Sequence, residues 1–143
     1  MAVQFDAERI LIFDQALRYD PYYFALSGED SGVDFQDVVQ ACLRQWAEAI
    51  MQLTGHSRPL FLPFGVYDQC IECLAAAISE DQIHLRCVWL NVGGYSIDLL
   101  DTSGFIHQDH AVLKASPKEF GVFNRLELVT SLKSATYIVS LPA

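Results

Sequence analysis

Residues 34–53 read DFQDVVQACLRQWAEAIMQL, and this stretch decides the fold. Its apolar positions are Phe35, Val38, Val39, Cys42, Leu43, Trp46, Ile50 and Leu53, the three-and-four spacing of a single helical face. Asp34 is placed to be the N-cap, and Val33 before it can staple onto Val38. Asp37 sets negative charge in the first turn, where the helix dipole favours it, and Gly55 can end the helix in a left-handed conformation. So long an amphipathic helix must lie on an apolar surface, which the rest of the chain has to supply.

That surface is expected from the residues after Gly55, where the period changes. Segments 59–64, 69–79, 83–92 and 95–100 read as successive strands, separated by Glu80-Asp81 and by Gly93-Gly94. Connections this short imply an antiparallel meander, because parallel neighbours need a long crossover. Alternation puts Ile83, Leu85, Cys87 and Trp89 on one face, the expected floor for the helix, with His84, Arg86 and Val88 on the other. Further on, Ser116-Pro117-Lys118-Glu119 is a helix-start signature, cut short by Gly121. Asn124 with Glu127 writes a second start, with Leu128, Leu132 and Ala135 on one face, and 137–141 reads as a final strand. Before the long helix, 19–26 reads as extended, with Pro21 marking a strand edge or beginning, and 27–32 as a polar loop. Residues 6–18 fit either a helix capped by Asp6, with Ile10, Phe13 and Leu17 on its face, or a buried strand at 10–13; helix-favouring Ala7, Glu8, Arg9, Gln15 and Ala16 tip the reading toward helix.

The expectation is one α+β domain over residues 1–143: an antiparallel meander packed against one long amphipathic helix, with a smaller C-terminal helix and strand. Length and composition agree. A chain of 143 residues with 52% hydrophobic and 19% charged side chains is neither disordered nor a coiled coil, and buries about 70% of its unfolded surface without disulfide or metal. No apolar run approaches the ~18 residues of a membrane span, and the opening Met-Ala-Val-Gln-Phe-Asp lacks the pattern of a signal peptide, so the cytoplasm is expected.

Charge gives the functional expectation. The net charge is −9, and residues 1–81 carry 13 acidic and 4 basic side chains while residues 82–143 carry 5 of each. Such charge repels nucleic acid and anionic membrane and favours a basic partner. A solvated acidic face is the simpler explanation of a charge run. Acids and aromatics nevertheless mix in or beside loops at Asp20, Tyr22, Tyr23, Glu29, Asp30, Tyr67, Asp68 and Glu72. Tyrosine is enriched at interface centres and carboxylates take arginine bidentately, so these eight residues are the candidate partner-binding surface. Half-buried tyrosines with wet hydroxyls would look the same in sequence.

Motifs for other chemistries are weaker. Cys70 and Cys73, with His107 and His110, have ligand-like spacing, but strand residues three apart point to opposite faces, and free cysteine packs as a small hydrophobe. A redox pair would need a helix N-terminus. Asp101-Thr102-Ser103-Gly104 reads as a turn. No catalytic residue, cofactor or metal is expected. A pocket between helix and sheet lined by Trp46, Trp89, Tyr95 and His84 would instead signal a small-molecule site or enzyme, and an uncovered apolar strand edge would signal self-association.

The run Leu62-Pro63-Phe64-Gly65-Val66-Tyr67-Asp68-Gln69-Cys70-Ile71-Glu72-Cys73-Leu74, followed by strand, turn and strand, resembles segments of small bacterial immunity proteins of polymorphic and contact-dependent toxin systems. The order of long helix then meander is also similar. The resemblance covers about a third of the chain. It implies a non-enzymatic, acidic inhibitor that binds its toxin stoichiometrically, often a basic nuclease.

Overall fold

A computed structural model describes residues 2–142. The long helix is α2, Phe35–Gln52, and it buries Val38, Val39, Cys42, Leu43, Trp46, Ala47, Ala49 and Ile50. Asp34 is its N-cap and Asp37 lies in its first turn, as expected, but neither end is held as expected. Asp34 has the extended backbone of an N-cap, but its carboxylate makes no capping bond. Gly55 is not left-handed. Instead the Arg125 guanidinium donates to the carbonyls of Met51 at 3.1 Å and Leu53 at 2.7 Å, supplying from a distant helix the cation that the last turn lacks.

Three strands come next as an antiparallel meander, β4 (Leu60–Val66), β5 (Ile71–Ser79) and β6 (Gln82–Leu90). Glu80 takes a left-handed φ of 58° at the polar turn between β5 and β6. The single-floor expectation for β6 fails. Ile83 and Leu85 are buried from one face but Val88 and Leu90 from the other, and Cys87 and Trp89 are only half-buried. Adjacent Cys73 and Leu74 on β5 are both fully buried. Over part of its length the hairpin is therefore covered on both faces, which alternation alone cannot signal.

The expected strand at 95–100 is absent. The chain makes a single 3-10 turn at Gly94–Ser96, and then the short helix α3 (Ser103–His107) packs against β4. Asp101-Thr102-Ser103-Gly104 thus opens a helix rather than forming a turn. Thr102 is fully buried, and both its N–H and its hydroxyl donate to Gln45 Oε1, at 2.5 and 2.6 Å. The chain returns along the free edge of β6 as β7 (Val112–Ala115) and β8 (Gly121–Asn124). Ser116-Pro117-Lys118-Glu119 starts no helix. It lies in the loop interrupting this edge, where Arg86 donates to the Ser116 carbonyl at 2.7 Å and Glu119 pairs with His84 at 2.8 Å. The second signature holds: Asn124 accepts from the Glu127 N–H at 3.1 Å and opens α4 (Arg125–Lys133), with Leu128, Leu132 and Ala135 buried.

A second sheet was not foreseen. Residues 6–18 form no helix. With β1 (Val3–Phe5), β2 (Arg9–Ile12) and β3 (Gln15–Arg18) make an antiparallel meander, and β9 (Thr136–Tyr137) adds in parallel to β1. The final strand is thus two residues, shorter than the expected 137–141. Asp6 does cap the chain beyond it, but it caps a turn rather than a helix. Its Oδ1 accepts from the N–H groups of Glu8 and Arg9, both at 2.8 Å, and Oδ2 from Leu141 at 2.9 Å. The turn leads into a strand, because Ile10 and Ile12 alternate into the core. Phe13 at the β2–β3 turn takes a left-handed φ of 57°, and its ring packs edge-on against Phe123 at 5.3 Å. The fold is α+β: two sheets and four helices share one core, with α1 (Tyr22–Glu29), α3 and α4 packed against α2.

Candidate functional site

The segment 19–26, expected to be extended, is mostly helix. Asp20 Oδ1 accepts from the Tyr22 N–H at 2.9 Å, turning the chain, and Pro21, with φ already at −73°, starts α1. Phe24 and Gly28 face inward, and Phe24 meets Tyr19 edge-to-face at 5.3 Å. Gly28 sets how closely α1 lies on α2: a Cβ there would come within 2.1 Å of the Val33 carbonyl oxygen and 2.8 Å of Val38 Cγ2.

This docking brings Tyr23 to the loop between β4 and β5, where its hydroxyl donates to Asp68. That bond, above all, pushes the Tyr23 phenol up to about 12, with the Asp68 charge adding to it. Tyr22 and Tyr23 meet edge-to-face at 5.0 Å. The loop is backed by Gly94, whose N–H donates to the Tyr67 carbonyl at 2.7 Å and where any Cβ would strike that same oxygen. Burial raises the Tyr67 phenol, and the carboxylates of Glu72 and Asp20 raise it further. Burial likewise raises the half-buried Glu72 carboxyl. Six of the eight candidate residues, Asp20, Tyr22, Tyr23, Tyr67, Asp68 and Glu72, are therefore gathered where the start of α1 meets the β4–β5 loop.

Glu29 and Asp30 lie at the other end of α1, about 12 Å along the axis for eight residues at ~1.5 Å each. Glu29 lines an open groove between α1 and the start of α2, with Tyr22, Leu26, Val33, Asp34 and Phe35. Asp30 lines a second, smaller groove with Tyr23, Ser27, Tyr95 and Asp98. Sequence reasoning missed Leu26, Asp34, Phe35, Tyr95 and Asp98 as surface residues of this site. The signal for Leu26 was present: Tyr22, Ala25, Leu26 and Glu29 have helical spacing, legible only once 22–29 is read as helix.

The electrostatics of this surface are one-sided. Among the described residues the ion pairs are Arg9 with Asp6 at 3.8 Å, Arg58 with Asp109 at 3.6 Å and His84 with Glu119 at 2.8 Å. None involves Asp20, Glu29, Asp30, Asp68 or Glu72, so the surface offers five carboxylates outside any ion pair, together with three phenols. The acidity is not all on this side. Asp81 lies with Met51 and Arg125 by the C-terminal end of α2, and Asp14 lies with Glu127 at the start of α4. The 18 residues of α2 span about 27 Å, separating that group from Asp34 and Glu29 at the other end.

The other candidate constellations do not converge. Trp46 is sealed in the core, Tyr95 is 84% exposed, and His84 and Trp89 lie on opposite faces of β6. Lys114 lies over the Trp89 ring, 5.5 Å from its centre. His110 stacks on Phe105 at 4.3 Å, while His107 lines a separate groove with Ser57 and Arg58. Cys42 and Cys73 are buried and Cys70 and Cys87 half-buried, all as free thiols. Among the described residues no three His, Cys, Asp or Glu side chains gather as a metal site requires, and no helix is long and apolar enough to cross a membrane.

The fold and surface thus define an α+β domain with an anionic, tyrosine-bearing face. No family model matches the chain, and no curated protein or solved structure is significantly similar to it.

Proposed function

We propose that this chain is a non-enzymatic, stoichiometric binding protein that captures a basic protein partner on the face formed by α1 and the β4–β5 loop. The concrete form suggested by the sequence resemblance is an immunity protein that neutralises a toxin domain by covering it. One observation carries the reading: among the described residues Asp20, Glu29, Asp30, Asp68 and Glu72 enter no ion pair, and they lie with tyrosines on a surface that the Tyr23–Asp68 bond ties together. Unpaired carboxylates beside aromatic rings suit arginine, which pairs bidentately with the first and stacks on the second. The uncompensated charge also speeds encounter with a cationic surface.

The test starts from the gene's neighbourhood: a basic domain found encoded beside this gene is co-expressed with the chain. The expected result is restored growth and a complex of fixed stoichiometry by light scattering. Reversing Asp30 and Asp68 to lysine should weaken that complex at least ten-fold and flatten its salt dependence. Binding and salt dependence unchanged by both reversals would remove the assignment of this face.

A further inference from the structure

The open groove between α1 and the start of α2, about 710 Å³ in volume, carries a more specific inference. On α1, Tyr22, Ala25, Leu26 and Glu29 have the i, i+3, i+4, i+7 spacing by which a helix presents a single face. Here that face is turned outward: Tyr22 is 59% and Leu26 45% exposed. Half-buried Val33 and Phe35 continue the apolar floor onto α2, and Glu29 and Asp34 supply an anionic rim. A contiguous apolar strip with a charged rim is the pattern of a protein-docking site.

We infer that this groove seats one amphipathic helical segment of a partner protein, its apolar stripe on Leu26, Val33 and Phe35 and its flanking Lys or Arg side chains on Glu29 and Asp34. The inference rests on the basic-partner reading and names the segment recognised. Two arguments select the occupant. The rim is acidic and no Lys or Arg lines the groove, so a cationic ligand is complementary, whereas a second copy would bring the same acids to a self-complementary contact. Both walls begin in helices whose backbone groups bond internally, which leaves no strand edge for an extended peptide to join, and a groove between helices takes helix-spaced anchors.

The probe is a synthetic 16-residue peptide with leucines at i, i+3, i+4 and i+7 and lysine or arginine elsewhere. A scrambled peptide of identical composition, with no common leucine face, is the comparison. Binding is measured by amide chemical shifts and titration at 0.15 M salt. The amphipathic peptide should bind one to one and shift residues 22–36, at least ten-fold more tightly than the scrambled one. Leu26→Asp should weaken it at least ten-fold although it adds a negative charge, and Glu29→Gln with Asp34→Asn should weaken it and reduce its salt slope. Three outcomes overturn the groove: equal binding of both peptides with Leu26→Asp as tight or tighter, shifts centred on Tyr67 and Glu72 instead, or no binding of either peptide. The broader reading falls separately, on the Asp30 and Asp68 reversals against the intact basic partner.

Discussion

Replacing Gly28 by alanine tests whether α1 is held where the docking face needs it. In a solvated helix interior the change would stabilise by up to about 1 kcal/mol, because alanine is the better helix former. Gly28 sits against α2 rather than in solvent. Its Cβ would lie 2.1 Å from the Val33 carbonyl oxygen and 2.8 Å from Val38 Cγ2. The first clash is with backbone, and the Gly28 carbonyl accepts from the Val33 N–H at 2.9 Å, so the α1–α2 connection cannot yield without losing its own bond. Forcing a methyl group into packed space costs about 1–3 kcal/mol, and a backbone clash lies at the upper end. The net expectation is a loss of about 2 kcal/mol. At about 2 cal/mol/K per residue, the unfolding entropy of a 143-residue chain makes each kcal/mol worth about 3 °C, so the melting temperature should fall by about 6 °C. The control is Gly55→Ala, where nothing lies within 4 Å of the added Cβ and the change should stay within about 0.5 kcal/mol. Thermal and urea denaturation of both variants decide it. A Gly28→Ala protein as stable as the parent, or more stable, would refute the close docking of α1.

Asp6 should govern acid stability. Burial alone would raise its carboxyl, but N–H bonds from Leu141, Glu8 and Arg9, with the Arg9 charge, hold it below its ordinary 3.8. A depressed folded value means that its contribution is fully present above pH ~3.8 and is lost as the pH falls through the lower folded value. Asp6→Asn should therefore cost about 1–3 kcal/mol at neutral pH and flatten the stability profile at its acid end; an unchanged profile would contradict it. Arg125→Met should cost about 1.5–3 kcal/mol by removing the charged donor to the last carbonyls of α2, with Arg125→Lys recovering part of it, both read by urea denaturation. With a thiol reagent at pH 8, Cys70 should react first in the native protein. Burial pushes Cys42 up to about 12 and Cys87 to about 11, and also raises Cys73 well above its ordinary value. All four thiols should react once the chain is unfolded, and rapid native labelling of Cys42 would contradict its burial.

Legibility in the sequence depended on which forces act locally. The long helix could be read because its periodicity is that of its own burial, and the β4–β6 meander because apolar runs alternate with short polar turns, although burial on both faces hid which side of β6 meets the helix. Residues 6–18 could not, because helix-favouring Ala7, Glu8, Arg9, Gln15 and Ala16 outweigh so short an alternation as Ile10 and Ile12, and the Asp6 carboxylate that looks like a helix cap instead closes a turn and reaches Leu141. Segment 19–26 misled because Pro21 suits both an edge strand and a helix start, and the short α1 buries only Phe24 and Gly28. At 116–119 the Pro-Lys-Glu signature was overridden by pairing of the flanking β7 and β8 with β6. For the docking face, charged and aromatic composition pointed to Asp20, Tyr23 and Asp68. The groove stayed hidden because it is made by the angle of two helices rather than by any one run of residues.

The charge asymmetry along the chain therefore needs a spatial interpretation. Its two halves do not form two lobes: β9 joins β1 in one sheet, and α4 lies on α2. Acids of the first 81 residues end up at both ends of α2, so acidity alone does not single out a face. The α1 end differs in having exposed Tyr22 and Leu26 beside its carboxylates. At the other end Asp81 shares its groove with Arg125, a cation already donating to the carbonyls of α2. If net charge alone drove association, reversing Asp81 would weaken partner binding as much as reversing Asp30. If apolar contact fixes the site and charge only steers to it, Asp81→Lys should change the association rate less than two-fold at 0.15 M salt, where the Debye length of about 8 Å is far shorter than α2. Asp30→Lys should then act mainly on dissociation. Equal effects of the two reversals on the dissociation rate would show that no particular face is used.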